Sequence, residues 1–389
     1  MMLAHNASLL ETESAFDVLA RAQSLISEGR RIINLGIGQP DFKTSPHIVE
    51  AAIRALVDGH HGYTPAPGLP DLKESLVTYY AQHFGQAVDA SNILVVPGGK
   101  VTMAFAMMLL GEKGREILYP DPGFPIYRSM AAYTGASAVP YAVHEELGFS
   151  FRASEILEKL TPDTRLIILN SPGNPTGGSN LESEVEELVE GLEKFPNCAV
   201  LSDEIYSRLH FDGRKHQTLL QFEGLRDRLI VLDGWSKTYA MTGWRLGWGI
   251  WPSSMIGSAT KLAINVHSCV NAPAQFAAQA ALEGPQDAVD EMRQAFQDRR
   301  DLVHQRLNAM PGVSAAQPKG AFYAFPNISA LGMPSRKVQD IWLEDLGVAT
   351  IAGTSFGDAG SDFIRLSFAN SMENITEALD RIEGWVKSL

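Results

Sequence analysis

Lys237 stands in the tripeptide Ser236-Lys237-Thr238, between an apolar run (Leu229 to Leu232) and a turn rich in glycine and tryptophan that carries Arg245. A lysine so placed is partly withdrawn from water, and desolvation together with a nearby cation lowers the pKa of an amine toward neutrality. An unprotonated amine can form a Schiff base with a carbonyl compound. Ser236 and Arg245 add a hydroxyl and a guanidinium suited to a phosphate, whose oxygens the planar guanidinium fork matches. A lone lysine beside a strand is more often a solvated surface residue; here two candidate anion donors accompany it.

Other side chains of chemical interest fall in loops that come after apolar runs. Asn170 to Gly178 (Asn-Ser-Pro-Gly-Asn-Pro-Thr-Gly-Gly) follows Leu166 to Leu169 and holds too much proline and glycine for regular structure. In open α/β sheets, ligands sit at such C-terminal strand edges. Asp203 and Tyr206 follow the run ending at Leu201, and their spacing predicts that both lie on one face of an opening helical turn. Alone, Asp-x-x-Tyr is usually an N-cap and a core aromatic. Pro97-Gly98-Gly99-Lys100 lies between the run Ile93 to Val96 and an apolar helix, where glycines let backbone N–H groups and a helix N-terminus approach a phosphate. Phe124, in Asp121-Pro-Gly-Phe-Pro-Ile-Tyr127, can stack on a flat heteroaromatic ligand or pack in the core. Arg365, in the otherwise apolar Phe363 to Phe368, needs a partner because a buried unpaired guanidinium is costly. A ligand carboxylate bound bidentately or a structural Asp or Glu would serve.

Two nucleotide-binding motifs are only approximated. Lys100 is followed by Val101 rather than Ser or Thr, and Leu94 occupies the first required glycine of a P-loop. Gly36-Ile-Gly38 starts like a dinucleotide fingerprint, but Asp41 replaces its third glycine and Pro40 interrupts the helix start.

Asn174, Asp203, Tyr206, Lys237 and Arg245 occur in the order and approximate spacing of the class I/II aminotransferases, pyridoxal phosphate enzymes of fold type I, which the chain resembles from about Ser24 to Asn370. Among them it is most like bacterial aspartate aminotransferases. The resemblance implies an α/β fold with a large, mostly parallel-sheet domain over 45–289 and a smaller α+β domain of 1–44 plus 290–389. It implies pyridoxal 5'-phosphate as cofactor, no metal, and a homodimer with shared active sites. Lys237 would carry the cofactor and shuttle a proton. Asp203 would keep the pyridine nitrogen protonated, which makes the ring a stronger electron sink. Tyr206 and Asn174 would bond the phenolic oxygen, Phe124 would stack on the ring, and Gly99, Ser236 and Arg245 would hold the phosphate. Tyr63, in the turn-rich Gly62 to Gly68, would touch the neighbouring subunit's phosphate. Arg365, Asn174 and the Gly38 backbone would bind the substrate α-carboxylate side, and Lys100 the distal carboxylate of an acidic substrate. The implied reaction moves the amino group of an L-amino acid to a 2-oxo acid by a ping-pong cycle. Neutral or aromatic donors, and β-elimination at a C–S bond, would use the same lysine and arginine.

Composition agrees with a globular enzyme: 389 residues, 45% hydrophobic and 20% charged. A formal charge of −13 and the absence of a Lys/Arg run disfavour nucleic acid as partner, a helix-turn-helix regulator included. Cys198 and Cys269 are too few for a disulfide framework. The longest apolar run, Val101 to Leu110, is too short to span a bilayer, and the stretch before Phe16 has Glu11 and Glu13 but no basic region. A cytoplasmic location is expected. His60 and His61 lack partners at metal-ligand spacing and are expected at a loop or helix end.

The elements that must position these side chains read as alternating strands and helices. Strands are predicted at 93–96, 116–119, 138–141, 166–169, 199–201, 229–232 and 248–250, with helices at 101–110, 127–133 and 181–194 between them. This pattern predicts a mostly parallel sheet with helices on its faces. Beyond residue 288 the pattern changes to a long charged helix to 309, strands near 320–325 and 364–368, and helices near 337–346 and at the C-terminus.

Overall fold

The structure is a computed structural model that describes residues 4–12 and 14–389; Glu13 and the first three residues of the predicted small domain lie outside the described residues. Its strands are β1 (Ile33–Asn34), β2 (Ile93–Val96), β3 (Glu116–Asp121), β4 (Ser137–Ala142), β5 (Thr164–Asn170), β6 (Ala199–Asp203), β7 (Leu229–Asp233), β8 (Gly247–Ile250), β9 (Tyr323–Ala324), β10 (Val348–Ala349), β11 (Ile351–Ala352) and β12 (Ile364–Ser367). All seven strands predicted before residue 288 form one sheet, ordered β2-β8-β7-β6-β5-β3-β4. β4, β3, β5, β6 and β7 run parallel, whereas β8 is antiparallel to both β7 and β2. Strands β2, β6, β7 and β8 are buried at every position, the edge strand β2 included, as expected where helices cover both faces.

Because β2 and β7 both oppose β8, the C-terminal ends of β2, β3, β5, β6 and β7 share one edge with the start of β8. Asp121, Asn170, Asp203 and Asp233 close four of these strands, so polar side chains line that edge. Helix signals are local: proline opens Pro46–Val57 and Pro70–Phe84, and the latter stops at Gly85, whose φ of 66° is left-handed. Asn271 and Ser371 cap the helices that begin after them, accepting from Ala274 N–H and Asn374 N–H.

A second apolar core, separate from the sheet, gathers Ile33, Leu35, Phe296, Leu307, Phe322, Trp342, Leu366 and Leu379. Here β9, β12 and β11 pair antiparallel, and β1 pairs parallel with β10, aligning Ile33 with Val348. Asp41 accepts both η nitrogens of Arg299 at 2.7 and 3.0 Å, tying the N-terminal segment to helix Asp287–Asn308. His61 Nε2 lies 2.9 Å from Leu56 O beyond helix Pro46–Val57, and His60 packs on Phe276, so both have the expected helix-end role. Both cysteines are free thiols.

The helical turn expected after Asp203 is not formed. Residues 204–209 make successive tight turns, with Ser207 N–H donating to Glu204 O and Leu209 N–H to Tyr206 O. Glu204 N–H is taken by Leu232 O, and the Glu204 carboxylate accepts from Ser202 Oγ, Leu219 N–H and His216 Nε2. These tertiary bonds outcompete the helical ladder.

Candidate functional site

A cavity of about 450 Å³ opens at the polar sheet edge, where the second core meets it. Lys237, Asp203, Tyr206, Gly99, Lys100, Phe124, Asn174, Ser236, Arg245, Gly38 and Arg365 all line it. Of the candidate site residues, only Tyr63 lies elsewhere; it is 94% exposed on the surface of the single chain.

Lys237 reaches the cavity because the chain turns sharply after β7. The Asp233 carboxylate accepts Gly234 N–H at 2.6 Å and the Ser207 hydroxyl at 2.7 Å. Trp235, fully buried, donates Nε1–H to Ala278 O and packs edge-on against Trp248 at 4.5 Å. With Trp235 anchored on one side, Lys237 in the one-turn helix Trp235–Thr238 projects on the other, and its Nζ donates to Gly38 O at 2.5 Å. Gly38 can have no side chain, because a Cβ would collide with Tyr323 Oη.

Asp203 ends β6 and is 5% exposed. It accepts the Tyr127 hydroxyl at 2.7 Å and Ile205 N–H at 3.3 Å. Burial pushes its carboxyl up to about 6; those two bonds and the Lys237 charge oppose the shift, and the Glu204 charge adds to it. A carboxylate held this way at a cavity wall would be stabilised by a cationic N–H in the cavity. The folded cofactor-free protein keeps a proton that the unfolded chain releases near pH 3.8, so Asp203 lowers stability as pH rises from about 4 to about 6, and the loss persists above that range. Asp203→Asn is therefore expected to make the cofactor-free protein more stable than the parent at pH 8 by about 1–3 kcal/mol, with the advantage shrinking toward pH 5. Urea unfolding of the two apoproteins measures this, and equal stability at pH 8 would contradict it.

The loop after β5 is tied to β6 by Asn170 Nδ2, which donates to Asp203 O at 3.0 Å, while Asn170 Oδ1 accepts Asn174 N–H. Asn174 Oδ1 in turn accepts Arg365 Nη1 at 2.9 Å. Arg365 is buried on β12, donates Nη2 to Gly36 O, and has the rings of Tyr323 and Phe356 each 4.7 Å from its guanidinium carbon. Tyr206 Oη lies 2.9 Å from Tyr323 Oη. The Lys100 ammonium sits 5.1 Å over the Phe124 ring.

Arg245, which also lines the cavity, has a left-handed φ of 56°, and its Nη1 donates to Thr242 O. Gly98 leaves it room: its φ is 95°, and a Cβ there would strike Arg245 Nη2. Gly99, Ser236 and Arg245 all line the cavity and together offer the donors a phosphate requires. One lysine, one buried carboxylate at a wall, an aromatic ring and a cradle of anion donors fit pyridoxal phosphate. Among the described residues, no group of three or more His, Cys, Asp and Glu could hold a metal.

Tyr323, Phe356, Tyr127 and Phe16 also line the cavity and were not foreseen. Tyr323 alone carried a signal: a hydroxyl in the apolar run 320–325 that burial obliges to find a partner.

Comparison with known proteins gives a consistent picture. Residues 30–382 match the family described as aminotransferase class I and II. The chain is 40% identical over 354 residues to an aspartate aminotransferase of Pyrococcus horikoshii, spanning 90% of each chain. It is 35% identical to aromatic-amino-acid aminotransferase 2 of Thermococcus litoralis, over 92% of each. The crystal structure of the aspartate aminotransferase from Rhizobium meliloti superposes with a TM-score of 0.95 at 33% identity, covering 100% of this chain and 99% of that one.

Proposed function

We propose, on the premise that the chain belongs to the class I and II aminotransferases and is a pyridoxal phosphate-dependent transaminase, that its preferred amino donors are acidic, aspartate- or glutamate-like L-amino acids. When bound, the cofactor supplies a carbonyl carbon that condenses with amines and a ring that stores the electron pair left at the amino acid Cα. Lys237 would hold that carbonyl carbon, and its Nζ as a free amine would take the proton from the substrate Cα. Asp203 would keep a proton on the ring nitrogen. Tyr206 and Asn174 would bond the phenolic oxygen, Phe124 would cover the ring face, and Gly99, Ser236 and Arg245 would hold the phosphate. Arg365 and the Gly38 backbone would orient the α-carboxylate.

The observation that carries the acidic preference is Lys100, an exposed ammonium at the start of helix Lys100–Leu110 that lines the same cavity as Lys237 and Arg365. Charge-assisted hydrogen bonds contribute roughly 1.5–3 kcal/mol, so Lys100→Ala is expected to lower kcat/KM for aspartate or glutamate by about ten- to a hundredfold. Alanine and aromatic donors should be spared. Equal losses for all donors, or a parent enzyme inactive on aspartate, would favour the second reading, a neutral or aromatic donor. That reading draws support from the apolar lining by Phe16, Ile37 and Phe356 and from the similarity to the Thermococcus enzyme.

The working form is a cytoplasmic homodimer, with a large domain of 45–289 and a small one of 1–44 plus 290–389. A core apart from those on the two faces of the sheet, and the attachment of β1 to β10, support this division. The free thiols suit a reducing compartment, and no described helix is long and apolar enough to cross a membrane. Exposure of Tyr63 supports its reaching the phosphate of a second copy. Mixing inactive Tyr63→Ala and Lys237→Ala subunits should then restore one complete site per hybrid dimer; proven exchange without recovered activity would rule out the shared site.

A further inference from the structure

The segment that brings Phe124 to the cavity begins with Asp121, which does not line it. Asp121 ends β3 and is 9% exposed. Its Oδ1 accepts Ala359 N–H at 3.2 Å, and burial raises its pKa while the Ala359 and Asp358 backbone N–H groups pull it back. Two residues on, Gly123 N–H donates to Phe356 O at 2.8 Å. The stretch 121–124 is thus joined at two points to 356–359, a part of the chain more than two hundred residues away.

That second stretch lies in the connection between β11 and β12, where Arg365 pairs with Ile351. The connection is closed on itself: Gly353 N–H donates to Phe363 O at 2.8 Å, and a Cβ on Gly353 or Gly360 would collide with the other's carbonyl. Gly357 has a φ of 129°, and a Cβ there would run into Asp121 Oδ1. The carboxylate therefore occupies space that only glycine leaves open. Phe356, just before it, lies against the Arg365 guanidinium.

We propose that Asp121 is a positioning residue for Arg365: by fixing the loop 353–363 to the segment that carries Phe124, it sets the distance between the carboxylate-binding guanidinium and the ring face of the cofactor. The proposal rests on the reading of Arg365 as the α-carboxylate site. Its chemical need is plain, since Cα must lie within reach of Lys237 Nζ when the carboxylate is engaged, and a misplacement of about 1 Å can cost on the order of a hundredfold in rate.

The test compares holoenzymes of Asp121→Ala, Asp121→Asn, Gly357→Ala and Arg365→Lys, measuring kcat, KM for an amino donor and for a 2-oxo acid, the visible spectrum and retention of pyridoxal phosphate on gel filtration. Asp121→Ala and Gly357→Ala should each raise both KM values roughly five- to thirtyfold, with spectrum and cofactor retention as in the parent, and Asp121→Asn, which keeps an acceptor oxygen, should return to within about threefold of it. Unchanged KM values in a folded Asp121→Ala enzyme overturn the proposal. So does cofactor loss without a change in KM, which marks a merely structural role. If Asp121→Ala does not fold, Gly357→Ala decides by the same criteria. Arg365→Lys separates the two levels: if it leaves both KM values unchanged, the carboxylate reading itself fails, whereas a rise there with none in the Asp121 and Gly357 variants removes only the link.

Discussion

Lys237→Ala is expected to lower kcat by at least about four orders of magnitude while the protein still folds and still binds pyridoxal phosphate. On the proposed reading two roles would be lost at once, the covalent hold on the cofactor and the amine that moves the Cα proton. General acid–base catalysis alone contributes roughly 10²–10⁴-fold. The turn itself should survive, because it is anchored by Trp235 on Ala278 and by the Asp233 carboxylate, neither of which involves the Lys237 side chain. Gly99, Ser236, Arg245, Phe124 and Asp203 remain at the cavity, so binding should persist at weakened affinity. Exogenous small amines should restore part of the proton transfer. A variant that retained a tenth or more of parent turnover would place the amine elsewhere.

The second large effect is expected at Arg365. Replacement by alanine removes a planar donor set held between two aromatic rings and bonded to Asn174 and Gly36. If it binds the α-carboxylate through two charge-assisted bonds, each of roughly 1.5–3 kcal/mol, kcat/KM for donor and acceptor alike should fall by about 10²–10⁴. Arg365→Lys should lose less, since it keeps the charge but not the fork. Because both half-reactions bring an α-carboxylate, the two substrates should suffer equally. A loss confined to one of them would contradict the assignment.

Much of this site is legible in the sequence because its chemistry lies at strand ends. The runs at 166–169, 199–201 and 229–232 are continuous enough to mark buried strands, and the residues after each run have to emerge at one sheet edge. The strands prove one to three residues longer than predicted where polar residues extend them, as at Asp203 and Asp233. The turn after Asp203 departs from the helix that local spacing favours, because Glu204 is captured by groups on β6, β7 and residues 216–219. That Tyr323, Phe356 and Gly36 frame Arg365 is not legible. They come from segments far apart in the chain, and no local pattern records that β9, β11 and β12 pair. Lys100 shows the opposite case: its place at the cavity is readable from the loop that carries it, between the run Ile93 to Val96 and an apolar helix.

The most direct test of the central claim is chemical. Reduction of the holoenzyme with borohydride, followed by proteolysis and peptide mapping, should place the pyridoxyl label on the peptide containing Ser236-Lys237-Thr238. A label on any other lysine, or a reduced enzyme that releases its cofactor unlabelled on denaturation, would contradict it.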